Sequence, residues 1–163
     1  MTNQIVTERL CLRQLRPEEA RDLLRGRADP ELPWAAGYPI QGTLIAVEAF
    51  VRAVDGGAPL GPYGVYQLVR TADRTVVGDI GFHGPPTAQG TVTVGYGLAT
   101  SARGRGYATE ALRALVEWAL ERPEVVRVEA DTTHANVASQ RVMERAGMRL
   151  VGRDEQLRYY RIP

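Results

Sequence analysis

The sequence predicts an α/β fold of the mixed α+β kind: a mostly antiparallel central sheet with one parallel strand pair, flanked by about four helices. Three observations predict it. Three strand-like runs, Tyr63 to Arg70, Thr75 to His83 and Thr91 to Leu98, are joined by connections too short for anything but antiparallel neighbours. A glycine-rich turn, Arg103-Gly104-Arg105-Gly106, then leads straight into a helical stretch. A fourth run, Val125 to Asp131, follows that helix. A strand–helix–strand passage of this length makes the strands at 91–98 and 125–131 parallel, with a right-handed crossover.

The remaining elements follow in order. Residues 7–15 alternate as a first strand, with Leu10 and Leu12 on one side and Arg9, Cys11 and Arg13 on the other. Pro17-Glu18-Glu19-Ala20 opens a helix, with proline early and acids in the first turn. Residues 28–42, rich in proline and glycine and containing Trp34 and Tyr38, read as a loop. Leu44, Ala46, Val47, Phe50, Val51 and Val54 recur at helical spacing, so a second helix covers 43–54. The helix after the glycine turn runs to about Leu120, with Ala108, Ala111, Leu112, Leu115 and Ala119 on one stripe. A fourth helix covers 136–146, ended by Gly147 where a left-handed residue is wanted. Short strands near 148–153 and 156–162 finish the chain, and residues 1–163 read as a single domain with no repeat or linker.

Composition narrows the chemistry. At 163 residues the chain can bury a core without disulfides or metals. A net charge of +1 gives no general attraction to nucleic acid. All 20 basic residues are arginine, so Schiff-base and Walker-type lysine chemistry is excluded. Cys11, the only cysteine, sits in a strand-like run and reads as a packed residue, compatible with a reducing cytoplasm. Two histidines, His83 and His134, with one distant cysteine do not make an ordinary zinc site, so no metal is expected. No apolar run reaches membrane-spanning length, and the start of the chain (Met1-Thr2-Asn3-Gln4-Ile5) lacks the basic-then-apolar pattern of a secretory leader, so no membrane partner and a cytoplasmic location are expected.

The glycine turn carries the strongest functional signal. Two glycines let the backbone turn sharply and approach a ligand closely. The first amides of the following helix have no intrahelical partner, and the helix dipole places partial positive charge there. With Arg103 and Arg105 alongside, the spot suits a phosphate or pyrophosphate.

Arg103-x-x-Gly106-x-Ala108 resembles the acetyl-CoA pyrophosphate motif of GNAT N-acetyltransferases. Downstream, Asn136, Ser139, Arg141-Val142, Ala146-Gly147-Met148 and Gly152 resemble the RimJ/RimL branch, which includes ribosomal-protein N-terminal acetyltransferases. Thr7-Glu8-Arg9-Leu10-Cys11-Leu12-Arg13 is similar to that branch's first strand, and Gly95-Tyr96 precedes the turn, so the resemblance spans nearly the whole chain. It implies a GNAT fold whose parallel strands splay apart to admit the pantetheine arm of acetyl-CoA, or another acyl-CoA, as co-substrate. It further implies that Leu98, Ala99 and Thr100 pair with that arm, that Arg103, Gly104, Arg105, Gly106, Tyr107 and Ala108 hold the pyrophosphate, and that Asn136 bonds the arm. Asparagine is also a favoured helix cap, and both roles fit the same residue.

The reaction implied is direct attack of a primary amine on the thioester, without a covalent enzyme intermediate. An amine with a pKa of about 10.4 must first lose a proton, and the leaving thiolate must gain one. Many family members place a tyrosine seven residues after the asparagine; here that position is Met143, and the RimL-like pattern offers Ser139 as the acid. For the base, Asp79 and His83 share a strand face, His134 lies near Asn136, and a water chain is a further route. Glu110, in the first turn of its helix, reads as structural. Trp34, Tyr38, Tyr159 and Tyr160 are candidate walls for the acceptor, and Glu18, Glu19, Asp22, Asp29 and Glu31 candidate attractors of a cation. The acceptor stays open among small-molecule amines and protein or peptide N-termini, and the resemblance admits a homodimer. Two other readings stand: a non-catalytic acyl-CoA-binding or sensing protein of the same fold, and a dinucleotide-binding module in which Glu129, about 20 residues after the glycines, would hold a ribose.

Overall fold

A computed structural model gives the fold of residues 3–163; Met1 and Thr2, the start of the segment read for a leader, lie outside the described residues. Eight strands form one sheet: β1 (Gln4–Val6), β2 (Leu10–Gln14), β3 (Val65–Arg70), β4 (Thr75–Phe82), β5 (Thr91–Leu98), β6 (Arg127–Thr133), β7 (Arg149–Arg153) and β8 (Leu157–Ile162). Their spatial order is β1-β2-β3-β4-β5-β6-β8-β7. Every neighbouring pair is antiparallel except β5 and β6, which run parallel as expected. Four helices accompany the sheet: α1 (Pro17–Leu24), α2 (Gln41–Asp55), α3 (Tyr107–Leu120) and α4 (Val137–Arg145).

The helices divide between the two faces. Asp79 on β4 bonds Thr43 of α2, whereas Phe82, of opposite parity on the same strand, packs against Trp118 of α3 with ring centroids 5.9 Å apart. Alternate residues of a strand point to opposite faces, so α2 covers one side and α3 the other. The α3 stripe expected from spacing is buried in full, and Leu112 and Leu115 are wholly enclosed. Each such leucine stabilises the fold by about 1.5–3 kcal/mol. The α2 stripe is less regular: Val47 and Phe50 are buried, Leu44 lies open, and polar Thr43 takes an inward place.

Two boundaries differ instructively from expectation. The run at 7–15 is not one strand: β1 precedes it, and Thr7 to Arg9 form a tight turn between β1 and β2. That turn is fastened from far away. The Glu110 carboxylate of α3 accepts from Thr7 Oγ1 at 2.6 Å, from the Arg9 amide at 2.8 Å and from Arg9 Nε at 2.7 Å. The strand expected at 125–131 begins at Arg127 instead, because the Gly90 carbonyl takes the amides of Val126 and Arg127. No helix among the described residues is long and apolar enough to cross a membrane.

Candidate active site

The parallel pair separates. Only Thr91, Val92 and Thr93 of β5 pair with β6, opposite Arg127, Val128 and Glu129, although β5 continues to Leu98 and β6 to Thr133. On its other edge β5 stays bonded to β4 as far as Ala99, whose amide donates to the Val77 carbonyl at 2.8 Å. The His83 amide likewise donates to Thr93 at 2.8 Å. Antiparallel ladders alternate, so odd-numbered β5 residues spend their main-chain groups on β4, while those of Tyr96 and Leu98 face the gap. Ala99, expected to present a free amide there, has its amide committed to Val77; Tyr96, whose backbone the sequence reading overlooked, has the parity that faces the opening. Thr100 begins a single 3₁₀ turn, Thr100–Ala102, beyond the strand end.

The glycine turn sits next to this gap. Gly104 and Gly106 both adopt left-handed backbone, with φ of +78° and +81°, which side-chain-bearing residues rarely accept. Gly106 is the N-cap of α3. The amides of Arg103, Gly104, Arg105 and Gly106 donate to no other main-chain group among the described residues, and those of Tyr107 and Ala108 lie in the first helical turn, where intrahelical acceptors are missing. Arg103 and Arg105 are exposed and make no ion pair among the described residues.

Arg9 staples the turn from behind. Its guanidinium donates to the Arg105 carbonyl at 2.8 Å, lies 4.5 Å from the centroid of the Tyr107 ring, and is anchored by Glu110. Burial pushes the Glu110 carboxyl up, but the hydrogen bonds from Thr7 and Arg9 outweigh it and hold the group below its usual range. Glu110 is therefore structural, as its position suggested, through a partner more than 100 residues away in sequence.

Across the gap, Ser139 and Tyr96 meet. Tyr96 pairs with Ile80 and shares its face, the α3 side of the sheet, so its ring leaves β5 toward α4. Its Oη lies 2.7 Å from Ser139 Oγ and donates to the Ser139 carbonyl at 3.2 Å. Burial pushes the Tyr96 hydroxyl up to about 12; the bond to Ser139 opposes this and the nearby Tyr160 adds to it. Asn136 caps α4, its Oδ1 accepting from the Ser139 amide at 3.1 Å. Gln140, buried one residue further on, donates to the Thr133 and His134 carbonyls and fixes the loop between β6 and α4. Met143 is fully enclosed. His134 is tied to the β7–β8 hairpin: Arg158 Nε donates to its Nδ1 at 3.3 Å and its Nε2 contacts the Asp154 carbonyl at 2.8 Å, which removes it as a base.

On the other face, beneath α2, lies a cavity of about 530 Å³ whose lining includes Thr43, Phe50, Asp79, His83 and Tyr96. Asp79 is 6% exposed, and its Oδ2 accepts a short hydrogen bond from Thr43 Oγ1. The buried Tyr38 hydroxyl neighbours the same carboxyl without a well-formed hydrogen bond among the described residues. Burial raises the Asp79 carboxyl to about 6, with the Thr43 bond partly resisting. Asp79 stands opposite Gly97, level with the open part of the gap; exposed His83 stands opposite Thr93, where the parallel strands are still joined. Register thus favours Asp79 over His83 as the group nearest the divergence.

Other expected contributors lie elsewhere. None of Trp34, Tyr38, Tyr159 and Tyr160 lines this cavity; Tyr160 is enclosed and Tyr159 bonds Asp154. Glu18, Glu19 and Asp22 pair with Arg13, Arg16 and Arg25 beside α1. A larger depression of about 690 Å³ runs outside α3 between β1 and Arg113; of the four carboxylates that line it, Glu8, Glu110, Glu117 and Glu121, Glu110 is already spent on Thr7 and Arg9. Cys11 is half-buried, and burial pushes its thiol up, away from nucleophile behaviour. Glu129, the acid that a dinucleotide site would use, pairs with Arg161 at 3.1 Å.

Comparison with known proteins agrees with this geometry. The chain is 32% identical over 93 residues to the uncharacterised N-acetyltransferase YjdG of Bacillus subtilis strain 168, a stretch covering 57% of this chain and 55% of that protein. The chain thus matches about half the length of this relative. A solved acetyltransferase from Agrobacterium tumefaciens superposes with a TM-score of 0.69 at 26% identity, over 99% of this chain and 94% of that one. A RimL ribosomal L7/L12 alpha-N-protein acetyltransferase in complex with coenzyme A superposes with a TM-score of 0.70 at 19% identity, over 98% and 97%, a likeness of fold. Residues 9–149 match the family described as acetyltransferase (GNAT) domain, and a match of that extent, on a sheet whose one parallel pair opens beside a glycine-capped helix, makes this chain a member of the GNAT family.

Proposed function

We propose that the protein is an acyl-CoA-dependent N-acyltransferase, with acetyl-CoA as donor, that passes the acyl group directly to a primary amine. The observation carrying this reading is the divergence of β5 from β6 beside the bare amides that open α3. The residues present fit such a co-substrate: an extended arm could add to the free edge of β5 at Tyr96 and Leu98, and a diphosphate could sit on the amides of residues 103–108 between two unpaired arginines. Thr100 follows the strand end, and the Asn136 side-chain nitrogen, which has no hydrogen bond to protein among the described residues, would be free to bond the arm from the cap of α4. When bound, acetyl-CoA supplies an acyl group already activated as a thioester.

The two faces of the sheet divide the proton work. Asp79, on the α2 side, holds the incoming ammonium and accepts its proton, a carboxylate near 6 being ionised at neutral pH yet more basic than an exposed one. His83, nearer solvent on the same strand face, passes that proton outward. A main-chain N–H of the free β5 edge steadies the developing oxyanion. Ser139, on the opposite face, donates to the departing thiolate and is resupplied by the Tyr96 hydroxyl 2.7 Å away. A lone serine is a poor acid; a phenol behind it supplies what Met143 does not. Calorimetric titration with acetyl-CoA, followed by thiol release over an amine panel, tests the proposal. Binding with no turnover on any amine would leave the non-catalytic acyl-CoA-binding reading.

A further inference from the structure

The cavity beneath α2 is unlike the rest of the molecule. Its helical wall is Gly42, Ala46, Ala49 and Ala53, small residues spaced four, three and four apart on one side of α2. Its floor includes Gly81, Gly95 and Gly97, which share the Asp79 face of β4 and β5. Bare backbone therefore faces a nearly bare helix, and the space between them stays open where bulkier side chains would fill it. A side chain at Gly81 is blocked by main chain, since a Cβ there would lie 2.9 Å from the Gly64 carbonyl oxygen; at Gly97 and Gly95 a Cβ would lie 2.4 Å from Ile40 Cδ1 and 3.0 Å from His83 Nε2, and those side chains would have to shift.

The rim is apolar and the chemistry inside is sparse. Ile45, at the edge, is 61% exposed, and Phe50, Leu60 and Val65 complete the sides. In a chain with 20 basic and 19 acidic residues, the lining contains no arginine and a single carboxylate, Asp79. Asp79 is more than nine-tenths buried, with Thr43 bonded to its Oδ2 and the Tyr38 hydroxyl beside it, and the carboxylate has further lone pairs for a cation. A polyamine or amino sugar would leave most of its polar groups unpaired against such walls, and an extended peptide would leave its amides unmet. A flat apolar body carrying one ammonium group would satisfy the walls and the carboxylate together. At about 530 Å³ the space is in the range of small-molecule pockets.

We infer that the acceptor is a small primary amine with a flat, apolar, aromatic-sized body, seated between α2 and the glycine floor with its ammonium on Asp79. This rests on the acyltransferase reading above and names the substrate class for the same site. Thiol release with acetyl-CoA is compared for 2-phenylethylamine, tryptamine, spermidine, glucosamine and a short peptide with a free N-terminus. The aryl-alkyl amines should exceed the others at least tenfold in kcat/KM. Ala46→Phe, which fills the space from the helix side, should lower kcat/KM for 2-phenylethylamine at least tenfold, mainly through KM, while calorimetric acetyl-CoA affinity stays unchanged. Circular dichroism checks that this variant folds, and Ala49→Leu offers a milder filling with the same expected direction. Turnover of spermidine, glucosamine or peptide in preference to the aryl-alkyl amines would overturn the substrate class and leave the enzyme reading standing. Preference for long-chain acyl-CoA, abolished by Ala46→Phe, would assign the cavity to the donor and also overturn it. Acetyl-CoA binding without turnover of any of the five would instead fail the enzyme reading itself.

Discussion

Replacing Asp79 by asparagine should make the protein more stable and nearly inactive at once. Burial raises the Asp79 carboxyl from 3.8 to about 6 in the folded chain. The folded state therefore binds a proton that the unfolded chain has already released over that interval, so this group's contribution to stability falls as pH rises from about 4 to 6 and is flat above. The shift corresponds to about 3 kcal/mol of destabilisation at pH 7.5 and about 1 kcal/mol at pH 4.5. Asparagine keeps the shape, can still accept from Thr43, and has the unpartnered Tyr38 hydroxyl beside it as an acceptor for its own N–H. Asp79→Asn should thus gain up to about 3 kcal/mol at pH 7.5, raising Tm by about 5–10 °C. The gain should shrink to about 1 kcal/mol at pH 4.5. Loss of the proton acceptor should lower kcat by about 10²-fold or more. Urea melts at both pH values, with thiol-release assays alongside, read all three quantities. A variant less stable than the parent at pH 7.5, or an advantage that grows on acidification, would refute the assignment of a costly buried carboxylate.

In the parent protein kcat/KM should fall about tenfold between pH 7 and pH 5 as Asp79 takes up a proton, and a limb unchanged in Asp79→Asn would move the role to His83. Arg103→Ala should weaken acetyl-CoA binding about tenfold by calorimetry, an effect shrinking with added salt; wild-type affinity would displace the proposed diphosphate seat. Ser139→Ala and Tyr96→Phe should each lower kcat with little change in KM, and the double variant should be scarcely worse than either single one if the two hydroxyls form one relay. Independent, multiplying losses would separate them. Glu110→Ala should destabilise the fold by about 2 kcal/mol and weaken acetyl-CoA binding without altering kcat, since it removes the anchor of Arg9 while leaving the gap intact.

Most of the architecture was legible because it depends on local pattern. Short connections forced the meander, and a helix between two strands forced the parallel pair. The glycine turn was legible for the same reason: its backbone conformations are a property of the residues themselves. What escaped was whatever depends on pairing across long separations. The turn between β1 and β2 was invisible because its fastener, Glu110, lies on α3. Tyr96 went unassigned because only the sheet register shows which β5 groups face the opening, and only the placement of α4 brings Ser139 to its hydroxyl. Trp34, Tyr38, Tyr159 and Tyr160 do not line the cavity beneath α2, because sequence shows an aromatic residue but not what it packs against: Tyr38 is buried beside Asp79 and Trp34, and Tyr159 and Tyr160 lie on β8, beyond the gap. Thr43, polar within an apolar helix, was a signal available in principle: its burial is justified only by the carboxylate it meets.

The clasp between Arg9, Thr7 and Glu110 links the turn between β1 and β2 to a helix about a hundred residues later in the sequence. The seat for the diphosphate is therefore not a self-sufficient loop. It reaches its final shape only when the turn between β1 and β2 packs behind it. A fragment beginning at residue 91 would keep both glycines and both arginines yet lack the brace behind them, and should grip nucleotide far more weakly than the intact chain.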